Sequence, residues 1–277
     1  MGEKYYLDLF QNDQKLNVLE RTFLLDKGIK IEKNYGLEIE SKKEDEVNFK
    51  INYFPKKYCV NDVKSDILDV LNRDNNFFML KLNDRNKVEK ILNKKMISES
   101  IENKIFKYMK NNPENSTIII NTIRDYKILL EEENYHAEDK MNSEGVSSFL
   151  FFDTNNKTYY TDKITNINHF IGGIIPFINV PMNLKFRIRE MTADFVILEF
   201  QSEYNEGILS YASFMLTLKE ILGYPMNEKY IFDFQIDSVY KIKRENSEII
   251  GFNIQKNINL NGNKYKESII LKNVDYS

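Results

Sequence analysis

The sequence predicts an α+β protein made mostly of antiparallel sheet, with a C-terminal three-strand meander packed on a buried helix. Three observations carry that expectation. From residue 230 the apolar side chains take every second position, as Tyr230, Phe232, Phe234, Ile236, Tyr240 and Ile242, with Ser238 in the same phase. Asp233, Gln235, Asp237, Lys241 and Lys243 fall on the other face. A period of two is that of a strand with one face buried. Two further runs follow, one with Ile250, Phe252, Ile254, Ile258 and Leu260, the next with Tyr265, Ile269 and Leu271. Between them stands Asn261-Gly262, a pair that accepts the positive φ of a type I′ hairpin turn. The third observation is residues 207–222, where Ile208, Leu209, Tyr211, Phe214, Met215, Leu216, Leu218, Ile221 and Leu222 leave little polar surface. A helix apolar nearly all round is a buried helix. It would cover a meander face whose side chains stabilise by about 1.5–3 kcal/mol each when fully buried. Gly223 and Pro225 end it.

Residues 4–10 alternate as a strand. Leu16, Leu19, Phe23 and Leu24 have helical spacing, and three short strands follow, carrying Ile29/Ile31, Leu37/Ile39 and Val47/Phe49/Ile51/Tyr53. Asn61 caps a helix with Val63, Ile67, Val70 and Leu71. Residues 77–82 form a strand, and residues 83–110 are helical in two pieces, the second lined by Ile97, Ile101, Ile105 and Met109. Residues 117–120 are a strand and 124–130 a helix. Residues 131–144 hold six acids against one lysine and mark a linker or exposed loop, dividing the chain into an N-terminal lobe, 1–140, and a C-terminal lobe, 147–277, or else crossing one continuous body. Both halves read as strand, helix and three strands, a suspicion of duplication without a sequence repeat. Residues 148–152 and 158–161 pair as a hairpin. Gly172-Gly173, Pro176 and Pro181 interrupt the apolar run 170–181, which makes neither a clean helix nor a central strand and is a candidate interaction segment. Residues 184–190 and 195–201 form a hairpin turning at Met191-Thr192-Ala193-Asp194.

The composition narrows the chemistry. Hydrophobic residues make up 42% and charged residues 29%, and 39 Lys and Arg against 42 Asp and Glu give a net charge of −3, which argues against wholesale phosphate-backbone binding. Cys59 is the single cysteine, so disulfides within the chain and all-thiolate zinc sites are excluded. With no apolar leader and no run of membrane-span length, the expectation is a cytoplasmic protein without a membrane span. Walker A, Gly-x-Ser-x-Gly and dinucleotide-binding motifs are absent, so no cofactor, metal or catalytic residue is assigned. His136 with Glu132 and Asp139 would share a helical face suited to a divalent metal, against the plainer reading of a solvated acidic loop. His169 reads as packed or hydrogen-bonded. Asp194 with Glu199 is a weak acid pair for a metal-dependent hydrolase acting on nucleic acid, because Gln201 stands where the Asp…Glu-x-Lys nuclease pattern needs lysine.

The basic features point to binding. Lys185, Arg187 and Arg189 alternate with Leu184, Phe186 and Ile188, a comb of cations about 7 Å apart on one sheet face. The comb suits phosphates or an acidic partner, or else pairs across the hairpin with Glu199 and Asp194. Residues 81–115 carry nine basic and five acidic side chains, a net of +4, with Lys104, Lys107 and Lys110 on the second helix. The expectation is a non-enzymatic binding or assembly protein for a protein or nucleic-acid partner, of the kind found in phages, mobile elements and defence systems. The metal-dependent hydrolase is its alternative, and the oligomeric state is open.

Overall fold

The computed structural model describes residues 2–24, 29–43, 45–53, 76–111, 113, 120, 137–151, 153, 157–175, 178–223, 225 and 229–274. In chain order the elements are β1 (Lys4–Leu7), β2 (Gln14–Leu24), β3 (Ile29–Lys43), β4 (Glu46–Tyr53), β5 (Asn76–Leu82), β6 (Val88–Ile91), α1 (Lys94–Asn111), α2 (Ala137–Ser143), β7 (Lys157–Tyr160), β8 (Thr165–Ile175), β9 (Ile178–Met191), β10 (Phe195–Tyr204), α3 (Tyr211–Leu222), β11 (Phe232–Lys243), β12 (Ile249–Leu260) and β13 (Asn263–Asn273). A 3-10 turn, Ser147–Phe149, lies between α2 and β7.

Among the described residues eleven strands form one antiparallel sheet in the order β6-β5-β4-β3-β2-β13-β12-β11-β10-β9-β8. It consists of two meanders, β2–β6 and β8–β13, joined where the N-terminal β2 pairs with the C-terminal β13, Ile269 opposite Glu20. Apart from β1 and β7, the strands of residues 1–140 and 147–277 therefore share a single sheet. β1 and β7 pair separately, Tyr5 opposite Tyr159.

The sheet curls around residues 149–151. Phe49 on β4 meets the Phe151 ring edge-on at 5.1 Å, and Phe10 stacks on the same ring at 5.3 Å. From the other meander, Phe200 on β10 stacks on Phe149 at 6.3 Å and Phe186 on β9 lies 4.6 Å from Phe200. Tyr240 on β11 donates its hydroxyl to the Phe149 carbonyl oxygen at 3.2 Å. Strands far apart in the sheet order reach one central segment, as only a strongly curved sheet allows. Curvature also brings the edges β6 and β8 to the same short helix, α2, which packs on both.

An open sheet edge leaves backbone groups unpaired. Here α2 answers them. Asn142 accepts from the Val88 amide at 2.8 Å and donates to the Val88 carbonyl at 2.9 Å, and Glu138 accepts from the Ile91 amide at 2.9 Å. Burial pushes the Glu138 carboxyl up, but hydrogen bonds from Lys94 and the Ile91 amide outweigh it and hold the group below its ordinary value. On the β8 side Gly172 lies so near that a Cβ there would meet the Ser143 hydroxyl at 3.0 Å. Asn142→Ala is expected to cost about 1–3 kcal/mol by orphaning the Val88 pair, and to speed amide exchange at Val88 in hydrogen-exchange mass spectrometry. Unchanged exchange would mean that α2 does not protect this edge.

The C-terminal meander forms as the periodicity predicts, turning at Asn261 (φ 50) and Gly262 (φ 91). Its predicted cover does not. α3 buries only Phe214 and Leu218, while Leu216 and Ile221 are about half exposed. The helix sits where β10 ends and β11 begins, with Phe214 5.2 Å from Phe232 and the Tyr211 hydroxyl on the Phe232 carbonyl. Around Tyr240 the meander face meets instead Phe149 and, from the curled sheet, Phe186 and Phe200. The helix begins at residue 211 because Ser210 caps it, accepting from the Ser213 amide, and Gly223 ends it in the left-handed region at φ 68.

Elsewhere the structure departs from the sequence pattern. Residues 14–24 are a strand, with Leu16 and Val18 buried, so the helical spacing of Leu16, Leu19 and Phe23 was coincidental. Ile29/Ile31 and Leu37/Ile39 belong to one long strand, β3. The first helical piece in residues 83–110 contains strand β6, and the second is α1. β7 pairs with β1, and residues 148–149 lie in the 3-10 turn, so the expected hairpin with 158–161 is not formed by the described residues. Of the apolar run 170–181, residues 170–175 end the edge strand β8 and residues 178–181 begin β9, and their pairing shifts register between Ile171 and Ile175. The expected helices at 61–71 and 124–130, and all of the 117–120 strand but Ile120, lie outside the described residues.

Candidate functional site

The comb stands on β9. Leu184, Phe186 and Ile188 are buried, which turns Lys185, Arg187 and Arg189 to the outside. Antiparallel register places Glu199 of β10 directly opposite Arg187. Glu199 takes the Arg187 guanidinium in an ion pair and also lies 3.8 Å from Arg189. Lys185 reaches diagonally to Glu203 at 2.6 Å, which Asn183 also contacts at 3.0 Å. These two hydrogen bonds, the Lys185 one foremost, hold the Glu203 carboxyl below its ordinary value. The comb is thus a cross-strand ion-pair ladder whose acids are Glu199 and Glu203. Asp194 takes no part: it lies in the β9–β10 turn, about 16 Å along the strand from Glu199, and its carbonyl accepts from the Arg244 amide.

Beside the ladder runs a cleft of about 670 Å³. Arg187, Arg189, Ile188 and Glu199 form one wall, and the turn after β7, with Thr161, Asp162, Lys163 and Ile164, forms the other. Lys163 lies 5.0 Å over the Tyr160 ring, and Asp162 accepts from the Gly2 amide at 3.2 Å. Three cations face two carboxylates, and both arginines are about three-fifths exposed. Ile164 adds an exposed apolar side chain at the rim.

The other sequence candidates are dispersed. Lys107 and Lys110 are exposed on α1 and Lys104 is half-buried there, beside the exposed Phe106. The 170–181 segment leaves only Phe170 out among its described large apolar side chains, with Ile171, Val180 and Pro181 buried. His136 lies outside the described residues. His169 is buried on β8, its ring 6.3 Å from Phe149, and burial first, then Lys87 and Lys256, push its pKa down to about 3. Among the described residues no group of three or more His, Cys, Asp or Glu side chains converges as metal ligands, and no helix is long and apolar enough to cross a membrane.

Lys256 is the residue that sequence reasoning missed. It occupies an inward position of β12, is 2% exposed, and pairs with Glu267 at 2.7 Å beneath the Phe149 ring. The signal was present: position 256 falls in phase between Ile254 and Ile258, where the pattern calls for an apolar side chain.

No protein-family model matches the chain. No curated protein sequence matches it either. Among solved structures, lipovitellin ("Lipid-protein interactions in lipovitellin") is similar at a TM-score of 0.46 and 8% identity, over 99% of this chain and 25% of that one. The chain therefore spans about a quarter of that protein's length.

Proposed function

We propose that the chain is a non-enzymatic binding protein that engages an acidic segment of a protein partner in the cleft between β9 and the turn after β7. The observation that carries this reading is the convergence of Lys163, Arg187 and Arg189 on one open cleft with an apolar rim. Exposed ion pairs contribute only about 0–1 kcal/mol to stability, so folding gives little reason to build a ladder of them. Arginine forks grip carboxylates with two parallel hydrogen bonds, and opposite charge speeds encounter. A protein partner suits the cleft better than nucleic acid. With Glu199 and Glu203 in the ladder, its three cations leave a local charge of only +1, whereas a tight duplex binder neutralises roughly 6–10 phosphates.

Alanine at Lys185, Arg187 and Arg189 together tests this. Partner capture is expected to fall about tenfold or more, as losing one or two charge-assisted contacts implies. The melting temperature should stay within a few degrees of the parent. Unchanged capture removes the comb from the account. Tight binding of a labelled DNA duplex with a steep salt dependence would move the reading to nucleic acid.

A further inference from the structure

A second site lies inside the curl, on different residues from the outer cleft. A cavity of about 380 Å³ opens between the inner faces of β2, β3 and β4, the β12–β13 pair and the segment after α2. Its apolar wall includes Phe49, Ile51, Met141 and Val146. Three charged side chains sit deepest: Lys256 at 2%, Glu20 at 11% and Glu267 at 24% side-chain exposure. Lys33 and Lys140 also line it, but half of each is in solvent at the mouth, where their charge is screened.

We infer that this cavity binds a small primary amine with an apolar body, its ammonium held between Glu20 and Glu267. The register sets Glu20 opposite Ile269 and Glu267 opposite Thr22. The two acids are therefore diagonal neighbours on the inner face, with backbones roughly 7–8 Å apart, within reach of one ammonium. At depth two carboxylates face one lysine, while Lys33 reaches Glu20 from the solvent side and Lys140 stands by Glu144. Glu267 is engaged by Lys256 at 2.7 Å, and Glu20 by the Tyr35 hydroxyl at 2.6 Å and Lys33 at 3.7 Å. A carboxylate offers about four acceptor positions, so both retain capacity for a further donor. Replacing a buried ion pair with apolar side chains often leaves stability unchanged or raises it. A Lys256–Glu267 pair at core-phase positions beside an open cavity is thus better explained by a ligand than by folding. The Tyr35 and Phe49 walls suit an apolar body joined to a cation.

The test uses the full chain with n-hexylammonium, hexanoate and hexanol as probes, read by isothermal calorimetry and by melting temperature. Hexylammonium is expected to bind one to one and raise the melting temperature, while hexanoate and hexanol do neither. Glu20→Gln keeps an acceptor for Tyr35 and is expected to weaken the amine about tenfold or more. Glu267→Gln should do the same, and if it unfolds the chain by leaving Lys256 unpaired, Glu20→Gln carries the test alone. No heat and no thermal shift with the amine would overturn the inference. So would equal binding of hexanoate, or an affinity unchanged in Glu20→Gln. The outer-cleft triple alanine variant should bind the amine as the parent does, which separates this site from the partner reading.

Discussion

Phe149→Ala is expected to lower the unfolding free energy by about 3–5 kcal/mol, a fall in melting temperature on the order of 10 °C. The ring is completely buried, lies against Phe200, and has the Lys256 ammonium on its face at 5.4 Å. Strands of both meanders converge on residues 149–151, so the void would open where several sheet strands share one contact. The cost should therefore lie at the upper end for a large core truncation. Phe170→Ala is the matched control. That side chain is 42% exposed on the outside of the edge strand β8, so its loss should cost no more than about 1 kcal/mol. Calorimetric or urea unfolding of the two variants checks the contrast. Similar small losses would mean that the sheet does not close around this segment.

Acid should destabilise the fold through His169. Its unfolded pKa is about 6.5, and in the folded protein burial, with Lys87 and Lys256 nearby, pushes it down to about 3. A proton that binds the unfolded chain but not the folded one favours unfolding. The neutral form's advantage is complete above about pH 6.5 and is lost at up to about 1.4 kcal/mol per unit as pH falls toward 3. Between pH 7.5 and pH 5 the loss amounts to about 2 kcal/mol. The carboxyls of Glu138 and Glu203 are held below their ordinary range and titrate mainly beneath this window. Urea midpoints of the parent and His169→Asn across that interval isolate the effect, since His136 is common to both. The parent's stability should drop by about 2 kcal/mol more than the variant's. Parallel curves would show that His169 protonates without penalty.

Much of the sheet was legible because period-two runs record which face is buried. The runs through Phe234 and Phe252, the Asn261-Gly262 turn and the β9–β10 hairpin are found where the pattern places them. The pattern misled at β2, where the inward Glu20 faces the cavity and the outward Leu19 is half-buried, so a strand mimicked helical spacing. It misled again at α3, whose apolar circumference implied burial, although the helix sits at one end of the curl and leaves Leu216 and Ile221 exposed. The single sheet itself was illegible, because the β2–β13 pairing joins residues some 250 positions apart and no local signal specifies it. At the candidate site, alternation placed Lys185, Arg187 and Arg189 on one face, and cross-strand pairing named Glu199. Register alone supplied Glu203. The opposing wall with Lys163 arises from β1 and β7 pairing, which the sequence assigned differently. Lys256 was passed over because a lysine in a core phase reads as noise until its partner on the next strand is seen.

The measurement that bears most directly on the binding reading is a paired affinity purification. The bait is the parent chain or Arg187→Glu/Arg189→Glu, each first checked for an unchanged melting temperature, with co-purified proteins and nucleic acid both quantified. The expected result is a stoichiometric protein that the parent retains, that added salt releases, and that the charge-reversed bait fails to hold. The same proteins on both baits, nucleic acid as the main co-purified species, or no partner on the parent would contradict the account.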